Sequence, residues 1–278
     1  MSKGFLIFAQ NTTTVDYIQQ AYALALSIKA SQSEVTEVSL VTNDIVSELY
    51  IHAFDKVIAV PWTESASPLQ AENRWKLYHV TPYDETIVLD ADMLMLEDIT
   101  TWWTYCANYD LKFCSQIKNY KLDKVADTYH RKTFIANKLT SPYVALHYFK
   151  KSQSAYDFYK TLEFVCNNWQ WCYSKFASEE YQNWLSMDLA VAIAIEITGM
   201  HDAVIDNCSP LEFIHMKTPL QGWSPIPASW QDTVPHVLTS KGDLIVGNIK
   251  QSKLFHYVEK TFITSSIVSK LEELANGT

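Results

Sequence analysis

The stretch TIVLDADMLMLEDI, residues 86–99, decides how this chain is read. Four apolar or β-branched residues run into Asp90-Ala91-Asp92, and a second apolar run, residues 93–96, follows at once. An apolar run without alternation reads as a strand covered on both faces, as in a parallel sheet. Open α/β sheets bind ligands outside the carboxyl ends of their strands. Asp90 and Asp92 therefore stand where a ligand would meet them. Residues two apart in an extended chain point the same way, and two carboxylates on one side repel unless a cation lies between them. Hard oxygen donors suit Mg2+ or Mn2+, ions that complete their shell with phosphate oxygens. The pair points to a metal-bound diphosphate. The bland alternative is an Asp-rich turn that caps the next element.

The flanking sequence has the pattern of an α/β fold. GFLIFAQ (4–10) reads as a buried strand. The next segment repeats apolar residues at Val15, Ile18, Ala21, Tyr22, Ala25 and Ile28, a helical step with Thr14 in position to cap it. VSLVTND (38–44) and KVIAVPW (56–62) are strands, and AENRWKLYHVTPY (71–83) is a helix up to Pro82. Later come a strand (141–150), a helix (154–169), an apolar helix capped by Ser186, a strand (211–217), a hairpin (236–248), a strand (253–258) and a closing amphipathic helix (265–276). The expectation is a mainly parallel sheet flanked by helices, with a smaller region after it.

The 278 residues are 48% hydrophobic, enough for one large core or a core with a subdomain. The N-terminus lacks the apolar stretch and cleavage site of a signal peptide, and no run approaches the roughly 18 apolar residues of a membrane span. Five cysteines with no CxxC read as reduced thiols of a cytoplasmic protein. Without a secretory signal, the glycosylation-like triplets at Asn11, Asn207 and Asn276 carry no weight. A net charge of −9 argues against attraction of the whole surface to nucleic acid. Residues 112–160 depart from this, with ten Lys or Arg against three Asp, a local +7 in a chain that is otherwise −16. Such a segment is either a solvated face balanced by acids in space or a surface for a polyanion.

WKLYHVTPYDETIVLDADMLMLEDI (75–99) resembles the nucleotide-sugar-binding half of GT-A glycosyltransferases, especially the glycogenin and galactosyltransferase group (glycosyltransferase family 8-like). Lys76-Leu77, Thr81-x-Tyr83, the strand to Leu89, Asp90-Ala91-Asp92 and Leu94-x-Leu96-x-Asp98-Ile99 follow that group's order and spacing. Residues 8–31 resemble its first strand, loop and helix, and the whole chain is similar to glycosyltransferase-like proteins of tailed phages. The resemblance implies one GT-A (Rossmann-like) domain over 1–278, with 1–100 the nucleotide-sugar half and 101–278 the acceptor side and C-terminal helix. It implies a metal-dependent glycosyltransferase that moves a hexosyl or pentosyl group from a nucleoside-diphosphate sugar, expected to be a UDP-sugar, to an acceptor hydroxyl. Asp90 and Asp92 would hold Mn2+ or Mg2+ and the donor. Ala9, Gln10, Asn11 and Tyr17 would border the nucleoside, with Thr42, Asn43 and Asp44 nearby, and Ala91 would join the donor-binding residues. Arg74 and Lys76 would lie near the diphosphate or the sugar; for both, a solvated helix face is the plain alternative.

The group adds a late histidine ligand, and two sites compete for it. His215 has Trp223 at the group's spacing, with Gln221-Gly222 in place of Lys-Pro and Lys217 as a substitute charge. His256 has the strand and the aromatic neighbour, with Lys260 close behind. The spacing favours His215. Ser186-Met187-Asp188 resembles a shortened form of the group's acidic helix start, so Asp188 would orient sugar hydroxyls or act as a base. A first-turn carboxylate favoured by the helix dipole is the alternative. In the basic segment, Tyr120, Tyr129, Tyr143 and Tyr148 interleave with Lys118, Lys121, Lys124, Arg131, Lys132 and Lys138. Cations interleaved with aromatics suit nucleic acid, and a hydroxymethylated base of phage DNA, flipped from the duplex, stands beside a saccharide or glycolipid as acceptor. Expression from a phage would place the protein in the host cytoplasm. Two other readings remain: a catalytically silent nucleotide-sugar-binding module, and another metal-dependent enzyme acting on nucleoside diphosphates. The sugar, the anomeric outcome and the oligomeric state stay open.

Overall fold

The computed structural model describes residues 1–62, 70–125, 131–178, 184–205 and 208–277. The chain starts with β1 (Lys3–Phe8), α1 (Tyr17–Ser31), β2 (Val38–Val41), α2 (Glu48–Ile51) and β3 (Lys56–Ile58). A 3₁₀ turn (Gln70–Lys76) leads into α3 (Leu77–Val80), β4 (Glu85–Asp90), β5 (Met93–Met95) and α4 (Thr100–Cys106). Then come β6 (Leu111–Cys114), β7 (Gln116–Lys118), α5 (Lys132–Ala136), β8 (Tyr143–Lys150), α6 (Gln153–Asn167), α7 (Trp169–Phe176) and α8 (Met187–Thr198). The last elements are β9 (Glu212–His215), β10 (His236–Leu238), β11 (Leu244–Val246), β12 (Ile249–Lys250), β13 (Leu254–His256) and α9 (Ser265–Asn276).

Six strands form the central sheet in the order β3-β2-β1-β4-β8-β6. β1, β2, β3 and β4 are parallel, and β8 runs antiparallel to both β4 and β6. The sheet is buried on both faces, which explains the unbroken apolar runs. In β1, Phe5 and Ile7 enter one core with α1, α4 and the second sheet, while Leu6 and Phe8 enter the other with α6 and α8. A strand that alternates between two dry faces needs apolar residues at every position.

The chain moves outward from β1 to β3 and then returns to the other side of β1 as β4. That reversal opens a crevice at the carboxyl ends of β1 and β4, the switch point where such sheets take ligands. Phe8 and Asp90 are register partners there. The chain then leaves the central sheet, and β5 joins a second sheet in the order β5-β13-β9-β7. β10, β11 and β12 form the predicted hairpin and one further strand.

Two local expectations change. Asp16, not Thr14, caps α1, its Oδ1 accepting from Gln19 N at 3.0 Å. An ionised cap gains from the helix dipole as well as from the hydrogen bond. The segment expected to be helical before Pro82 is mostly a 3₁₀ turn, with only Leu77–Val80 α-helical. Ser186 caps α8 as expected, and Gly199 ends it at φ 70°, a left-handed conformation that glycine tolerates. Cys106, Cys114 and Cys172 are buried thiols, Cys166 is half-buried and Cys208 is exposed. Among the described residues no helix is long and apolar enough to cross a membrane.

Candidate functional site

Asp90 ends β4 and Asp92 sits in the turn before β5. β13 pairs with β5 so that His256 stands opposite Met93, one residue past Asp92. Tyr257 N donates to the Asp92 carbonyl at 3.2 Å. This backbone pairing carries His256 to the carboxylate, with Nε2 3.0 Å from Asp92 Oδ2. Ligand atoms of Asp90, Asp92 and His256 all lie within 4.8 Å of one another. Two carboxylates and one imidazole are a donor set that fits Mn2+ or Mg2+. His256 Nδ1 is buried without a hydrogen-bond partner among the described residues.

The preference between the histidines reverses. β9 runs parallel to β13, and His215 pairs with His256 across the strands, ring centroids 4.7 Å apart. His215 is thus one strand farther from the carboxylates, outside the three-residue group. Burial, with His256 and Lys217 adding to it, pushes its pKa well below the ordinary value.

Each carboxylate already faces a cation of the chain. Arg74 lies 2.6 Å from Asp90, and Lys260 Nζ contacts Asp92. Burial works against the Asp92 charge, but His256 and Lys260 outweigh it and hold the carboxyl well below the usual carboxylate range. Burial likewise opposes the Arg74 charge and Asp90 outweighs it. Lys260 also lies 5.2 Å over the Tyr17 ring.

Two cavities meet at Arg74. One, of about 220 Å3, is walled by Ala9, Gln10, Tyr17, Ala91 and Asp92. The residues expected around the nucleoside are therefore mostly gathered in one place. Asn11 and Asn43 stand beside that wall and hold loops. Asn11 N donates to Asp44 Oδ2 at 2.6 Å while its Oδ1 caps Ile18 N at 3.1 Å, and Asn43 Oδ1 accepts from Val60 N at 2.9 Å. The other cavity, of about 320 Å3, is lined by Asp90, His256, His215, Lys217, Asp188 and Arg131. Asp188 opens α8 and has both oxygens engaged: Oδ1 accepts from Val144 N at 2.9 Å, and Oδ2 pairs with Arg131 at 2.9 Å. Arg131 is clamped over Tyr143 at 3.7 Å and Phe134 at 4.9 Å.

Lys76 is not brought to the carboxylates. It is buried, its Nζ donates to the Trp62 carbonyl at 3.3 Å, and it lines a separate cavity. Of the two cations expected near the diphosphate, Arg74 is the one that reaches a carboxylate, Asp90, while Lys76 turns to the Trp62 carbonyl. Arg131 and Tyr143, expected only as part of the basic segment on the acceptor side, line this cavity, and Trp184 was not singled out from the sequence. One signal could have found Arg131. The chain has only two arginines, and both pair with carboxylates of this cavity. Arginine is the residue suited to buried, fork-shaped ion pairs.

No protein-family model and no curated protein matches the sequence. Solved structures do. Galactosyltransferase LgtC, solved with donor and acceptor sugar analogues, superposes over 99% of this chain and 95% of its own, at 13% identity and a TM-score of 0.54. Mouse xyloside xylosyltransferase 1 matches over 92% of this chain and 97% of its own, at 12% identity and a TM-score of 0.51. Against the glycosyltransferase GlyE of Streptococcus pneumoniae TIGR4, the chain spans 60% of the other's length at 12% identity and a TM-score of 0.47, too loose to carry weight. The fold of this chain is that of the GT-A glycosyltransferases.

Proposed function

We propose that the protein is a metal-dependent glycosyltransferase that uses a nucleoside-diphosphate sugar, with a UDP-sugar as the expected donor. The observation that carries this is the grouping of Asp90, Asp92 and His256 at the switch point of a GT-A sheet, between a cavity for the nucleoside and a cavity for the sugars. Ala9, Gln10 and Tyr17 hold the nucleoside. Asp90, Asp92 and His256 would hold Mn2+ or Mg2+, which neutralises charge on the diphosphate. Arg74, Lys260 and Lys217 supply further positive charge where the leaving group develops its negative charge. Asp188, with one oxygen on Val144 N and the other on Arg131, fixes Arg131 and keeps acceptor sites for sugar hydroxyls.

The acceptor we favour is a saccharide hydroxyl. Four of the ten cations in the basic segment that raised DNA are paired with acids inside the molecule. Lys118 pairs with Glu212 at 3.0 Å, Lys150 with Asp110 at 3.4 Å, Lys160 with Glu163 and Arg131 with Asp188. Lys112 is buried against the Asp202 carbonyl at 2.6 Å. The same single-domain arrangement over 1–278, with donor half and acceptor half, goes with this reading.

The test is a thermal-shift screen of nucleoside diphosphates and their sugars with Mn2+, Mg2+ or EDTA, followed by mass analysis of products. A ligand present at about 100 times its Kd stabilises by about 2.7 kcal/mol. A metal-dependent shift with one nucleotide sugar, lost in Asp92→Asn, with a glycosylated product is the expected result. A shift without product would leave a nucleotide-sugar-binding module. No shift with any nucleotide would overturn the reading.

A further inference from the structure

A cavity of about 590 Å3 lies on the other side of the 3₁₀ turn, within the roughly 300–1,000 Å3 range of small-molecule sites. Arg74 leaves the turn toward Asp90, whereas Trp75 and Lys76 line this second space. The proposed transfer reaction gives none of its wall a direct role, and the link between the two sites is Asn73, whose Nδ2 donates to Gln10 at 3.2 Å.

The wall is aromatic. Trp62 and Trp75 stack with centroids 5.6 Å apart and planes 13° from parallel. His79 stands edge-on to both, at 5.4 and 5.9 Å, and Tyr156 meets His79 at 6.1 Å. Trp75 is buried, but Trp62 is 62% exposed. Its backbone is left-handed at φ 52°, a strained conformation for a bulky residue that the surroundings must enforce. The fold thus holds an indole out in water above a second one, where burial would have been the favourable choice.

The polar groups narrow the ligand. His79 Nε2 is buried with no hydrogen-bond partner among the described residues, and burial lowers its pKa, so the ring is neutral at neutral pH. Asn167 adds an amide group to the wall, and Asn73, whose Nδ2 already donates to Gln10 at 3.2 Å, adds its amide oxygen. Both lysines of the wall are already engaged, Lys76 by the Trp62 carbonyl and Lys160 by Glu163. A nucleotide or nucleic acid needs cations for its phosphates, and this wall offers an acid beside committed lysines. A ligand with flat C–H faces for the indole and hydroxyls for the amides and imidazole matches it.

We propose that this cavity is a saccharide-binding site, separate from the transfer centre, that takes a neutral oligosaccharide on Trp62. This goes beyond the glycosyltransferase reading and does not depend on it.

The test follows the indole N–H resonance of Trp62, assigned by its loss in Trp62→Phe, during titration with maltohexaose, cellohexaose and N-acetylchitohexaose. The expected result is a saturable shift with at least one of them, unchanged by EDTA and retained in Asp92→Asn. Trp62→Ala should weaken that binding at least about 10-fold, the equivalent of 1.4 kcal/mol. Trp62 is exposed, so the variant removes little core packing, and Trp62→Phe, which keeps a stacking face, should retain part of the affinity. The proposal is overturned by no shift with any of the three sugars, by equal binding in Trp62→Ala, or by a stronger response to an oligothymidylate. Loss of binding in Asp92→Asn would also overturn it, by placing the glycan in the transfer cavity. None of these outcomes bears on whether a nucleotide sugar binds at Asp90 and Asp92.

Discussion

The first hundred residues and the rest of the chain build the candidate site by different means. In the first part most of the residues sit at the ends of two adjacent strands, joined by Tyr17 from the start of α1 and Arg74 from the 3₁₀ turn. Ala9 and Gln10 follow β1, Asp90 ends β4, and the Phe8–Asp90 register pair locks them together. In the second part single side chains arrive from separate places: Asp188 from the start of α8, His215 from β9, His256 from β13, Arg131 from the residue before α5. A site made of strand ends follows from local register. A site made of distant side chains depends on how whole elements dock, so its members differ widely in how close they come.

The histidines give the largest test of that difference. Manganese affinity of the protein without nucleotide, read by titration calorimetry, should fall by more than about 100-fold in His256→Ala. In His215→Ala it should fall by about 10-fold, as expected for a neighbour of a ligand. Equal losses would break the distinction drawn from the β5–β13 pairing.

The central sheet offers a pH test next in size. His147 of β8 is buried, stacked on Phe113 at 5.2 Å, with Nδ1 2.8 Å from the Val144 carbonyl. Burial pushes its pKa down to about 4, against about 6.5 in an unfolded chain. Between those values the unfolded chain binds more protons. The stability from the neutral ring is therefore complete above about pH 6.5 and is lost as the pH falls toward 4, roughly 3 kcal/mol in all. Urea midpoints between these limits should fall more steeply in the native protein than in His147→Phe. Parallel curves would mean that the ring is not held dry.

A smaller loss is expected where β1 meets the turn before β4. A Cβ on Gly4 would stand 2.3–2.6 Å from the Tyr83 ring, whose hydroxyl is bonded to Ser39 at 2.8 Å. Gly4→Ala should cost about 1–3 kcal/mol as an overpacked site, seen as a lower Tm with the affinity for nucleotide kept once folded. An unchanged Tm would show that the first part is less rigid than its register implies.

The smallest effect belongs to the basic segment. Reversing the exposed Lys121 and Lys132 to Glu should change stability by no more than about 0.5 kcal/mol and leave transfer to a saccharide untouched. Lost activity would return the polyanion reading.

Much of the first part is legible in the amino-acid sequence. The continuous apolar runs of β1, β2 and β4 require two covered faces, and the Asp pair at the end of one of them marks the crevice. Less of the second part can be read that way. His215 and His256 both sit in short strands with aromatic neighbours, and nothing local tells which strand lies beside Asp92. Lys76 matches a motif spacing, but its side chain turns to the Trp62 carbonyl and Arg74 is the cation that meets Asp90. The basic segment reads as a single charge because acids that balance some of its cations, Glu212 for Lys118 and Asp188 for Arg131, come from remote parts of the chain.

By itself, the sequence determined the alternation of strands and helices, the carboxylates at the end of β4 and the cap of α8, because each depends on residues within a turn or a strand of one another. Only the tertiary structure decided that His256 meets Asp92, that both arginines converge on one cavity, and that two tryptophans stack beside a second one. Those juxtapositions depend on sheet pairing and on the direction of side chains between residues far apart in the chain, and no local pattern encodes either.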